Sequence, residues 1–92
     1  MSRVIEKKVL HKYFEAIVRG EKTFEIRLAN WECEGGDILV LLELDDDTKE
    51  PTGRSLRRRV GSVVKTRDLN FWSQEDIDAY GYQVISLLED AQ

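Results

Sequence analysis

The sequence predicts an α+β fold, a small β-barrel of five or six mostly antiparallel strands with one main helix and one short helix. Three observations lead there. The spacing of apolar residues gives the order strand, helix, three strands, short helix, strand. A chain of 92 residues can bury only a thin core, and closing one sheet on itself covers such a core with few elements. Gly61, inside the longest strand-like run, marks a bulge of the kind that bends small sheets into barrels. All of 1–92 reads as one domain, without repeats, low-complexity tracts or flexible linkers.

Val4 to Val9 predicts a first strand, with a weak pattern. Leu10, Tyr13, Phe14, Ile17 and Val18 then recur at the spacing of an amphipathic helix, which Gly20 ends by taking a left-handed conformation. Thr23 to Leu28 predicts a strand. Side chains alternate along it, so Phe24, Ile26 and Leu28 are expected to point into the core, and Thr23, Glu25 and Arg27 to share the opposite face with Lys22 at the strand mouth. After an irregular stretch closed by Gly35-Gly36-Asp37, the unbroken apolar run Ile38 to Leu42 predicts a central strand covered on both sides. Asp45 to Gly53 reads as a wide hairpin loop. Ser55 to Lys65 predicts the next strand, its alternation broken by Val63 near the Gly61 bulge. Ser73 followed by Gln74-Glu75-Asp76 is an N-cap with acidic residues in the first turn, opening a short helix that Gly81 ends, and Tyr82 to Leu88 predicts the last strand.

Composition narrows the function classes. The longest apolar run is too short to span a bilayer and the N-terminus lacks the apolar core of a signal peptide, which together predict a soluble cytoplasmic protein with no membrane partner. One cysteine, Cys33, excludes an internal disulfide, and neither cysteines nor histidines cluster, so no metal site or cofactor is expected. Cys33 is expected to be an ordinary buried thiol, and His11, the single histidine, to cap the helix or face solvent. The net charge of -4 opposes nucleic-acid binding, but it is segregated: Arg54 to Arg67 holds six basic residues and no acidic one, leaving -10 on the remainder. That basic strand can attract a polyanion, through Arg57 and Arg59 on one face, or pair with Asp45, Asp46 and Asp47 across the hairpin.

Tyr13-Phe14, Gly20-x-Lys22-x-x-Glu25-x-Arg27, the Gly36-Asp37-Ile38-Leu39 that begins nine residues later, Thr52-Gly53-Arg54 and the closing Gly81-Tyr82 span nearly the whole chain. In these positions the sequence resembles the ASCH domain family of the PUA-like superfamily, in particular its small bacterial and phage members. The resemblance implies a PUA-like barrel with a cleft beside the first helix, and an RNA- or nucleotide-binding role. Lys22 and Arg27 suit phosphate or a base edge, and Glu25 an exocyclic amine. Thr23 lies beside them, and Trp31, in the irregular segment, is the best placed ring for stacking on a base. Some proteins of this fold are amidohydrolases acting on acetylated cytidine through a motif lysine, a nearby threonine and a distant glutamate. Lys22 matches the lysine, but Glu25 stands where the threonine nucleophile belongs. With Lys22 and Glu25 as candidate catalytic residues, hydrolysis through activated water is the second reading. A protein-interaction domain using the Arg54 to Arg67 edge is the third. A monomer is expected.

Overall fold

The protein is described by a computed structural model, which covers residues 2–90 apart from the side chain of Tyr82. Residues 1, 91 and 92 of the expected 1–92 domain therefore lie outside the described residues, as does the ring of the Gly81-Tyr82 pair. The chain runs β1 (Val4–Leu10), α1 (His11–Val18), β2 (Phe24–Leu28), β3 (Ile38–Leu44), β4 (Pro51–Lys65), a 3-10 turn (Thr66–Asp68), α2 (Gln74–Tyr80) and β5 (Tyr82–Glu89). The strands form one curled sheet in the order β1-β3-β4-β5-β2. Three pairings are antiparallel, and β1 with β3 is parallel because α1, β2 and the 29–37 connection intervene. The result is a mixed five-stranded half-barrel with two helices. No helix among the described residues is long and apolar enough to cross a membrane.

The core lies inside the curl. Leu39 and Leu41 of β3, Val60 of β4 and Ile85 and Leu87 of β5 face inward and meet Phe14 and Ile17 of α1, with Val9 and Cys33 completing the cluster. Burial pushes the Cys33 thiol pKa up, as for an inert interior cysteine. Of the helix stripe read from the sequence, Phe14 and Ile17 are core, Leu10 belongs to β1, and Tyr13 and Val18 are exposed.

Several expectations need correction. The largest concerns β2: Glu25 is buried, whereas Phe24, Ile26 and Leu28 lie outward. The alternation is there, in the opposite phase. The cause is register, since Glu25 pairs with inward Ile85 and Ile26 with Val84, which places Glu25 inside with its neighbour. The loop after β3 is shorter than the Asp45 to Gly53 reading: it spans residues 45–50, and Pro51, Thr52 and Gly53 belong to β4. Asp45 N–H donates to Glu50 O, Lys49 takes φ 63°, and β4 begins at Pro51 opposite Leu44. The Asp45 carboxylate accepts from Asp47 and Thr48 N–H, so the expected pairing of Asp45–Asp47 with the basic strand is replaced by Arg57–Asp90 and Lys65–Glu32 ion pairs. Gly20 does end α1 at φ 76°. Gly81 ends α2 for another reason: a Cβ there would lie 2.7 Å from Arg67 Cβ. Ser73 Oγ accepts from Asp76 N–H as the N-cap pattern predicts.

The bulge read at Gly61 is present. The β4–β5 register shifts between Val60 and Val63, letting Val60 and Val63 both face inward. A Cβ on Gly61 would meet Ser86 Oγ at 2.5 Å and Leu88 Cγ at 3.3 Å. Gly61→Ala is therefore expected to destabilise the fold by about 1–3 kcal/mol, measured by urea unfolding. Combined with Ser86→Ala, which removes the nearest atom, the loss should be less than the sum of the two single losses.

Candidate functional site

Because β1 and β2 occupy opposite ends of the strand order, curling brings their free edges toward each other without a backbone ladder between them among the described residues. The seam is an open cleft of about 450 Å³ lined by Lys8, Val9 and Leu10 of β1, Tyr13 of α1, and Lys22 with Phe24 to Arg27. Side chains bridge it. Arg27 Nη2 donates to Lys8 O at 2.7 Å, and Arg27 Nε to Glu25 Oε2 at 2.8 Å. Lys22 Nζ donates to Glu25 Oε1 at 2.5 Å and to Phe24 O at 2.6 Å. Glu25 is 4% exposed, so both of its oxygens are held by cations where water is largely excluded.

Local structure sets these positions. Gly20 turns the chain after α1, and Glu21 and Lys22 N–H both donate to Ala16 O, fixing Lys22 where helix gives way to strand. Alternation on β2 then places Glu25 and Arg27 on one side. The Lys22 ammonium lies 5.9 Å from the Tyr13 ring centroid and 5.2 Å from that of Phe24, so two aromatic faces accompany the charged row.

Of the residues singled out from sequence, Lys22, Glu25 and Arg27 meet in one cleft and Tyr13 walls it. Thr23 is exposed and does not line this cleft: it borders a separate depression with Ile17, Arg58 and Leu87, and its carbonyl accepts from Leu87 N–H. Trp31 is not in the cleft: it is half-buried against the core with Lys7 Nζ 3.9 Å from its ring centroid. Arg57 and Arg59 are exposed on β4, two strands from β2 in the sheet, and Arg57 is tied to Asp90. The Gly36-Asp37 pair is structural. Asp37 is buried and accepts from Arg3 and Glu34 N–H, bonds that hold its carboxyl below the usual range and pin β1 to the start of β3.

A second polar centre, not foreseen, sits at the start of α1. Glu43, 2% exposed, accepts from His11 Nδ1 at 2.7 Å, Thr52 Oγ1 at 2.5 Å and Arg54 Nη1 at 3.5 Å. Arg54 also pairs with Glu15 at 2.9 Å. The available signal was a carboxylate at 43, on the same parity as the apolar 39 and 41 of a core strand. His11, Glu15 and Glu43 offer metal-ligand atoms within 4.8 Å of one another, and the Arg54 guanidinium contacts both carboxylates.

The hydrogen bond to Glu43 raises the His11 pKa above 6.5. The Thr52 hydroxyl, then His11, lowers that of Glu43. The stabilisation carried by charged His11 is thus complete below pH 6.5 and is lost as pH rises through the raised folded value. That of Glu43 is present above its ordinary range and is lost as pH falls through the lowered value. The difference in melting temperature between wild type and His11→Ala should therefore shrink as pH is raised from 6 through 9, and a constant difference would contradict this pairing.

A family model described as "Domain of unknown function (DUF3850)" matches residues 4–85. Over 75 residues the chain is also 32% identical to an "Uncharacterized 12.9 kDa protein in GpA 3'region" of Escherichia phage P2. That similarity covers 82% of this chain and 64% of the phage protein, so the chain matches less than two thirds of its relative's length.

Proposed function

The chain belongs to the DUF3850 family, a domain of unknown function, and we propose that it binds RNA or a nucleotide in the seam between β1 and β2. The observation that carries this reading is the convergence of Lys8, Lys22 and Arg27 with Glu25 and the rings of Tyr13 and Phe24 in one open cleft of about 450 Å³. Cations at a groove attract phosphate, rings give a base a stacking surface, and a carboxylate can accept from an exocyclic amine. The curled sheet with α1 at its seam supports reading the half-barrel as PUA-like, and the motif Gly20-x-Lys22-x-x-Glu25-x-Arg27 supports placing it near the ASCH domains. The cleft chemistry would stand without that relationship.

The Lys22–Glu25 contact of 2.5 Å favours one alternative, a small amidohydrolase acting on a modified nucleoside such as acetylated cytidine. Glu25 would be the base that activates water. Binding ranks above it, because Arg27 also holds Glu25 in place and no hydroxyl nucleophile stands at position 25.

Lys22→Ala is expected to weaken binding of a fluorescent single-stranded RNA about tenfold or more, the loss of one charge-assisted contact. It should also reduce the salt slope of log K by about 0.7. Fluorescence anisotropy at several salt concentrations reads both, and binding that Lys22→Ala leaves intact would place the ligand elsewhere. For Glu25→Gln, affinity for an anionic ligand should hold or rise. If wild type instead deacetylates acetylated cytidine and Glu25→Gln slows turnover by about two to four orders of magnitude, the hydrolase reading replaces the binding one.

A further inference from the structure

The polar centre at the start of α1 has the donor set of a metal site. His11 and Glu15 stand one turn apart on the helix, so both side chains leave it on the same face. Across from them on β3, Glu43 shares the inward parity of Leu39 and Leu41 and is 2% exposed. One imidazole nitrogen and one carboxylate oxygen from each glutamate fall within 4.8 Å of one another. Two ligands thus come from a helix and one from an interior strand, and none of the three lines the seam cleft.

The group also has an orienting bond and a cation of its own. Thr52 Oγ1 donates to Glu43 Oε1 at 2.5 Å, which leaves Oε2 for the shared point. His11 Nδ1 and Arg54 Nη1 both reach that Oε2, at 2.7 and 3.5 Å, while Arg54 Nη2 lies 2.9 Å from Glu15 Oε2. The guanidinium therefore spans the two carboxylates and sets one positive charge against their two. Its side chain is 53% exposed, so it can turn out to solvent without opening the core. A depression of about 230 Å³ lined by His11, Asp45, Asp46, Asp47 and Thr52 reaches the group from outside, and its acidic rim favours a cation.

We propose that His11, Glu15 and Glu43 bind a divalent transition-metal ion, with zinc the best match, in the place that the Arg54 guanidinium holds here. An ion of charge two balances both carboxylates beside a neutral imidazole, which one guanidinium does not. One nitrogen and two carboxylate oxygens are a zinc donor set, and the position facing the depression is left for water. Binding releases the proton between His11 Nδ1 and Glu43 Oε2 to solvent, and Arg54 swings away. Thr52 is a positioning residue, holding the Glu43 carboxylate through the oxygen that the ion does not need. Clustering along the sequence does not reveal this trio, because Glu43 lies 32 positions from His11.

The test is calorimetric titration of the chelator-treated full chain with zinc chloride, with cobalt(II) visible absorption as a second readout of nitrogen and oxygen ligation. The result expected is one ion per chain, bound about tenfold or more weakly by His11→Ala and by Glu15→Gln. Both side chains are partly exposed, so these variants should keep the circular dichroism of the wild type. Arg54→Met keeps an apolar stem beside the Phe14 ring, over which the guanidinium carbon lies 4.9 Å from the centroid. It should tighten zinc binding about fivefold, since a half-exposed ion pair no longer competes. No binding at near-millimolar zinc, or binding that both ligand variants leave intact, would overturn the proposal. Arg54→Met without effect would overturn the claim that the guanidinium holds the ion's place.

Discussion

The Lys22–Glu25–Arg27 clamp is the constraint on which the rest of this small protein depends. A five-stranded sheet that curls but does not close leaves two edges face to face, and here the span between them is carried by a guanidinium that reaches from Glu25 on β2 to the Lys8 carbonyl on β1. Burying the carboxylate is tolerable because a cation holds each of its oxygens, and a carboxylate left there with neither would cost several kcal/mol. The clamp is anchored in turn by the Ala16 carbonyl at the end of α1, so helix, strand and seam share one set of bonds. Whatever occupies the cleft must compete with, or join, these same groups, which makes ligand affinity and seam stability two readings of one arrangement.

The eight-residue helix α1 separates two polar centres with different characters. At its start, His11, Thr52 and Arg54 neutralise a buried Glu43 and tie helix to sheet. Beyond its end, Lys22 and Arg27 do the same for Glu25, beside open space and aromatic rings. The first lies against a shallow acidic depression around Asp45–Asp47, a poor setting for a polyanion. The second presents three cations to the cleft, and that difference in local charge is what directs the functional reading to the seam.

Much of the fold was legible in the sequence. The helix spacing of Phe14 and Ile17, the Ser73 cap and the Gly61 bulge each follow from local chemistry, and each is found where that chemistry puts it. The apolar run of β3, by contrast, forms a strand between β1 and β4 that is buried on one side only, through Leu39 and Leu41, and not covered on both. The composition of the cleft was legible too, since Lys22, Glu25 and Arg27 are close in sequence and on one strand. The face on which they lie was not. A strand reading Phe-Glu-Ile-Arg-Leu presents apolar residues on one side and charged residues on the other, and only pairing with β5 decides which side is inside. The Glu43 centre gathers partners 9 to 32 positions from Glu43, a juxtaposition that sequence spacing does not encode.

A nitrogen–proton NMR titration of the full chain with a short single-stranded RNA tests the central claim most directly, because it reports every backbone amide at once. Binding at the seam predicts concentration-dependent shifts confined to both facing edges, Lys8 to Tyr13 and Lys22 to Arg27, with little change along Arg57 to Arg59. Shifts that instead follow the basic stretch of β4, or none at near-millimolar RNA, would contradict the account and leave the clamp as a purely structural device.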